Sequence, residues 1–170
     1  LERLPMQVQS VLDTSSADAI VDRYRDTDGH FFIGRGVAYP VALEGALKFK
    51  EITYEHAEGF AASELKHGPL ALVTPSTPVF AVFSGRHDEK TMGNVEEVQT
   101  RGAPVIGIAS EEATRVSDVV DEFVPLPDTH PDVTGILANV QLQLVAYHVA
   151  DILDRSIDKP RNLAKSVTVE

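Results

Sequence analysis

HFFIGRGVAYPVALEGALKFKEIT, residues 30–53, passes from a strand signal through a glycine loop into a helix signal. His30 to Gly34 is a short apolar run bounded by turn residues, the mark of a strand buried on both faces. Gly34-Arg35-Gly36 closes it. The helix carrying Leu43 follows, with Pro40 acceptable in its first turn, where a backbone N–H has no intrahelical acceptor to lose. It breaks near Thr53. Strand, glycine loop and helix make the first half of a βαβ unit, and such a loop leaves N–H groups free for an anion or a sugar hydroxyl. Two glycines in such a loop more often mark a plain tight connection, and they lack the spacing of a dinucleotide or P-loop fingerprint.

Outward from this unit the alternation continues. PVFAVFS (Pro78 to Ser84), PVIGIAS (Pro104 to Ser110) and DEFVPL (Asp121 to Leu126) read as strands, and His56-Ala57-Glu58 as a further short one. Ala61 to Leu65 reads as a short helix. Glu89 to Arg101 reads as an amphipathic helix through Met92, Val95 and Val98, ended by Gly102. Glu111 to Asp118 reads as a short acidic helix. Thr134 to Leu153 is a long apolar helix whose apolar surface is broad enough to be covered on several sides. Upstream, residues 1–25 read as two helices, the second restarting at Thr14-Ser15-Ser16-Ala17-Asp18, and Asp26-Thr27-Asp28-Gly29 reads as a turn. The expected fold class is α/β: a doubly wound parallel sheet of four to five strands with helices on both faces, a three-layer αβα arrangement. Ligands of such sheets sit beyond the carboxyl ends of the strands, where Gly34–Gly36, Ser84–Gly85 and Ser110 fall.

The ionisable groups concentrate elsewhere, in LEGALKFKEITYEHAEGFAASELKHGP, Leu43 to Pro69. On a helix, residues three and four apart share a face, so Glu44, Lys48, Glu51 and Glu55 fall on one stripe. His67 follows in a Lys-His-Gly-Pro turn, which Gly68 and Pro69 keep from continuing as helix. A carboxylate, an ammonium and an imidazole from one short segment form a proton-transfer kit. The same spacing also describes an ordinary solvated ion pair. His56 and Glu58 alternate on the short strand, but two ligands without a third are not a metal site. No metal and no cofactor is expected. His148 reads as a packed, hydrogen-bonded core histidine, and Arg161 as an anchor of the tail to a helix carboxylate.

The 170 residues suffice for one domain with its own core, and 43% of them are apolar. The absence of cysteine excludes disulfides, thiolate metal sites and a cysteine nucleophile within this chain. A formal charge of −11 argues against nucleic acid or an anionic membrane as partner, and so acidic a balance is in keeping with a salt-loving source. The first residue is Leu1, and the chain reads as a fragment of something longer.

LEGALKFKEITYEHAEGFAASELKHGPLAL and the terminal PRNLAKSVTVE closely resemble the second sugar isomerase (SIS) domain of the glucosamine-6-phosphate synthase family, over about Phe31 to Glu170. The resemblance implies connecting helices over 1–28, an SIS domain of flavodoxin-like type over 29–158, and a tail over 159–170 carrying a catalytic lysine. It implies that Glu51 moves a proton between C1 and C2 of the opened sugar. Lys165 is implied to form a Schiff base with fructose 6-phosphate, and His67 to open the sugar ring from the neighbouring subunit of a homodimer. Lys48 is implied to assist beside Glu51, and with Ala164 to contact substrate. The glutaminase half and the first SIS domain of that family have no counterpart here, so an isolated fragment is expected to be inactive within a cytoplasmic, amino-sugar-forming enzyme. The rival expectation is a non-catalytic SIS module that binds sugar phosphate for regulation or dimerisation.

Overall fold

The computed structural model describes residues 1–24, 27 and 29–161. Two helices open the chain, α1 (Leu4–Thr14) and α2 (Ala17–Tyr24). Then come β1 (His30–Gly34), α3 (Ala38–Thr53), β2 (Ala57–Ala61) and two 3₁₀ turns, Ala62–His67 and Pro69–Leu72. The remaining elements are β3 (Val79–Val82), α4 (Asp88–Gln99), β4 (Val105–Ser110), α5 (Thr114–Ser117), β5 (Glu122–Leu126) and α6 (Pro131–Ile152). The five strands lie in the order β2-β1-β3-β4-β5, every neighbouring pair parallel. This is the doubly wound sheet expected from the sequence.

The apolar strands divide their side chains between two cores because successive residues point to opposite faces. On one face Phe32, Phe80, Val82, Ile106, Ile108 and Val124 meet the helices α1, α2, α3 and α6. The rings of Phe32 and Phe80 stack at 4.9 Å there, with Phe49 of α3 at 5.7 Å from Phe32. On the other face Phe31, Ile33, Val79, Ala81, Phe83 and Val105 meet the Ala62–His67 turn, α4 and α5. By length and composition α6 is apolar enough to cross a membrane, but half of its most apolar window is buried in this fold. Leu137, Leu142, Val145 and Val149 place it in the first core beside α3.

Two glycines seat α3. A Cβ on Gly59 of β2 would stand 2.9 Å from the Leu43 Cα, and one on Gly45 of α3 would meet Leu142 at 2.5 Å. Their bare backbones let the helix approach the edge strand and α6 closely. At its end Tyr54 adopts a left-handed conformation with φ 65°, and its N–H donates to the Lys50 carbonyl. Thr53 Oγ1 donates to the Phe49 carbonyl and accepts from the Glu55 N–H, which turns the chain out of the helix toward β2.

Three local readings are corrected. The second strand spans Ala57–Ala61, so His56 precedes it and Gly59-Phe60-Ala61 belong to it. The short helix after it is a 3₁₀ segment, Ala62–His67. The acidic helix expected over Glu111 to Asp118 shrinks to Thr114–Ser117, because Ser110 Oγ accepts from the Glu112 N–H and holds the entering chain as a turn.

Candidate active site

The helix α3 buries Ala38, Ala42, Gly45, Ala46, Phe49 and Thr53, which leaves one polar edge at the surface. On that edge Lys48 Nζ lies 2.7 Å from Glu51 Oε2 and 3.8 Å from Glu44 Oε1. The stripe read from the sequence is therefore three residues long. Glu55 falls beyond the helix end, where its partner is Arg155 at 3.9 Å. The hydrogen bond that Lys48 donates to Glu51, aided by the charges of Glu51 and Glu44, raises the Lys48 pKa above the usual lysine value. Lys48 thus stays an ammonium and fixes Glu51 as an oriented, half-buried carboxylate. That is the arrangement of a proton acceptor held in place by a neighbour that does not itself take the proton.

His67 is not brought to this edge within one chain. It stands at the exposed end of a segment whose Ala62 and Leu65 pack under the opposite face of the sheet. It also follows the carboxyl end of β2, whereas Glu51 precedes the start of that strand. The strand alone separates the two by about 13 Å at ~3.3 Å per residue. Lys165 and Ala164 lie outside the described residues.

The groups beyond the strand ends are already engaged. The Ser84 and Gly85 N–H groups donate to the Asp88 carboxylate at 3.1–3.2 Å. Burial raises the Asp88 pKa, partly offset by those two hydrogen bonds. Arg35 donates through Nε and Nη2 to Asn94 Oδ1, at 3.1 and 3.0 Å, and Ser110 Oγ donates to Asp128 at 3.0 Å. A cleft of about 310 Å³ does open there, lined by Arg35, Tyr39, Ser63, His87 and Lys90. Glu51 lies far from it, about 20 Å down the helix from Ala38 at ~1.5 Å per residue. The glycine loop and the charged stripe are two places.

His56 Nε2 pairs with Glu58 Oε1 at 3.0 Å, and no group of three metal-ligating residues occurs among the described residues. His148 is half-buried, edge-on to Tyr147 at 5.3 Å. Arg161 does not meet a helix carboxylate among the described residues. Its guanidinium lies 4.1 Å over the Tyr54 ring, and its backbone N–H donates to the Tyr54 hydroxyl at 2.7 Å. Tyr54 escaped the sequence reading because an aromatic residue past a helix end carries no pattern of its own.

The SIS domain model matches residues 24–152. The chain belongs to the SIS domain family. Among curated relatives, this SIS chain is 56% identical over 170 residues to the isomerizing glutamine–fructose-6-phosphate aminotransferase of Halobacterium salinarum, covering 98% of this chain and 28% of that protein. It is 46% identical to the enzyme of the same name from Methanosarcina acetivorans, spanning all of this chain and 28% of the relative. Among solved structures, the C-terminal domain of glucosamine-fructose-6-phosphate aminotransferase from Francisella tularensis matches with a TM-score of 0.82 and 37% identity, over 91% of this chain and 44% of that one. This SIS domain therefore spans just over a quarter of the length of the curated relatives.

Proposed function

We propose that this chain is the second SIS module of a glutamine–fructose-6-phosphate aminotransferase, the part that isomerises the sugar once ammonia has been delivered. The observation that carries the reading is the 2.7 Å Lys48–Glu51 pair on the open edge of α3. An aldose–ketose exchange needs a base placed between C1 and C2, and Glu51 is a carboxylate oriented for that task. Lys165 attacks C2 of the open-chain ketose through its neutral amine, and the carbinolamine loses water to leave an imine; ammonia then adds to C2 and expels the Lys165 amine, which leaves the C2 imine of ammonia. Glu51 takes the proton from C1 and returns it to C2. Lys48 holds Glu51 pointed at that task.

His67 opens the sugar ring from a second copy of the chain. The support is that Glu51 and His67 of one chain belong to opposite faces of the sheet. Fructose 6-phosphate and glucosamine 6-phosphate are the proposed substrate and product, with a glutaminase domain and a first SIS domain as partners in the same polypeptide. A cytoplasmic setting suits so polar a substrate. The strand-end amides of Ser84 and Gly85 already hold Asp88, which favours a catalytic edge over a sugar-phosphate-binding regulatory module.

The test is Glu51→Gln in the full-length enzyme. The amide keeps an oxygen for Lys48 but cannot accept the C1 proton. Glucosamine 6-phosphate formation is expected to fall at least about 100-fold, the range of a lost general base, while glutamine hydrolysis persists. Product formation at the parent rate would overturn the assignment.

A further inference from the structure

We infer that the cleft beyond the carboxyl ends of β1, β2 and β3 binds a phosphate group, free or carried on a small polyol, through the side chains of Arg35, His87 and Lys90.

The topology places it. β1 lies between β2 and β3, so the chain leaves β1 to one side through α3 and later crosses back past it to reach β3. The crevice where such connections part is where doubly wound sheets take their ligands. Three loops line it. Arg35, Gly36 and Tyr39 come after β1, Ala61 and Ser63 from the end of β2, and His87 and Lys90 after β3. Its volume of about 310 Å³ leaves room for more than a bare oxyanion.

Charge decides the class of ligand. The chain has 26 acidic residues against 15 lysines and arginines, yet the carboxylates around this cleft have other partners. Asp88 accepts from the Ser84 and Gly85 amides, Glu89 pairs with Arg115, and Asp132 pairs with Arg86. Among the described residues, Arg35 and Lys90 form no ion pair.

Arg35 is also held in place. Its Nε and Nη2 both donate to Oδ1 of Asn94, a buried neutral amide. The guanidinium is thus fixed from behind with its charge uncompensated, and Nη1 keeps its N–H groups for another acceptor. A planar guanidinium of fixed orientation suits the oxygens of a phosphate. His87 faces the β1 loop. A Cβ on Gly36 would stand 3.1 Å from the His87 Cδ2, so the imidazole packs on bare glycine backbone across the crevice. It does so from a left-handed backbone, φ 67°, which a non-glycine residue adopts only when its surroundings hold it there. With the Ser84 and Gly85 amides taken, side chains alone hold the anion, and binding is sensitive to salt.

The experiment measures how fast an amine-reactive succinimidyl ester labels Lys90 in the full-length enzyme, read peptide by peptide by mass spectrometry. Inorganic phosphate and glycerol 3-phosphate are compared with potassium chloride at equal ionic strength. Phosphate is expected to slow labelling of Lys90 at least about threefold, the effect of a ligand at about twice its Kd. Lys50, exposed toward the far end of α3, should label at an unchanged rate. Arg35→Gln should abolish the protection. His87→Gly should weaken it, and glycine takes the left-handed turn without strain, so that variant keeps the fold. Protection by inorganic phosphate supports the site for the free ion, and protection by glycerol 3-phosphate supports it for the ester. Protection by neither beyond that of chloride, or protection undiminished in both variants, would overturn the site.

Discussion

At the scale of single residues, the legible part of the site was the Lys48–Glu51 pair, because helical spacing alone puts residues three apart on one face. Other residues were not legible. His67 and Glu51 are near in sequence but separated by the sheet, and no local pattern reports which face a later segment will cover. His30 is a second such case. It is 4% exposed, packs 4.4 Å from the Phe49 ring, and meets Thr27 through Nε2 at 3.1 Å, while its Nδ1 is buried without a partner among the described residues. Burial lowers its pKa from 6.5 to about 4. Between those values the unfolded chain binds a proton that the folded chain does not, so stability falls as pH drops through this window. The full contribution is present above pH 6.5, and about 3 kcal/mol of it is lost by pH 4. Urea midpoints at pH 7 and pH 4.5 should therefore differ more for wild type than for His30→Phe. Equal differences would show that His30 is not the group responsible.

At the scale of elements, the apolar strands and the long helices were readable, and the short polar pieces were readable only in part. β1, β3, β4 and α6 announce themselves by continuous apolar runs or a wide apolar surface. β2 does so only at its start, because Ala57-Glu58-Gly59-Phe60-Ala61 carries little strand preference. Its extent is fixed by pairing with β1, from His30 opposite Ala57 to Gly34 opposite Ala61. Phe60 adds an edge-on contact with Phe31 at 5.1 Å. Tertiary pairing overrode local propensity there. The same strand sets the position of α3 through Gly59, whose added Cβ would strike the Leu43 backbone. Gly59→Ala is expected to push α3 off the edge strand and destabilise the fold by about 1–3 kcal/mol, the usual range for overpacking. Thermal unfolding checks it; an unchanged midpoint would mean that the helix is not seated as tightly as described.

At the scale of the whole molecule, the sheet class followed from strand–helix alternation, while the separation of its two candidate places did not. Glycine loops mark the carboxyl edge of a doubly wound sheet as the default ligand site, yet here the Asp88 carboxylate and Asn94 already occupy its donors. The proposed chemistry sits instead at the outer edge of α3, whose distance from the glycine loop only the three-dimensional course of the chain reveals. Net charge acts on the molecule as a unit. A formal charge of −11 on 170 residues repels itself most in the compact state, and salt screens that repulsion over ~10 Å at 0.1 M. The melting temperature is accordingly expected to rise as potassium chloride is added, from low ionic strength to roughly 1 M, where the screening length has fallen to about 3 Å. A flat or falling midpoint would show that self-repulsion does not limit the stability of the fold. The proposed chemistry turns on one proton. In the full-length enzyme supplied with glutamine and fructose 6-phosphate deuterated at C1, wild type should remove deuterium from C1, and Glu51→Gln should leave it in place while still hydrolysing glutamine. Loss of the C1 deuterium at the wild-type rate in Glu51→Gln would contradict the role of Glu51 as the base.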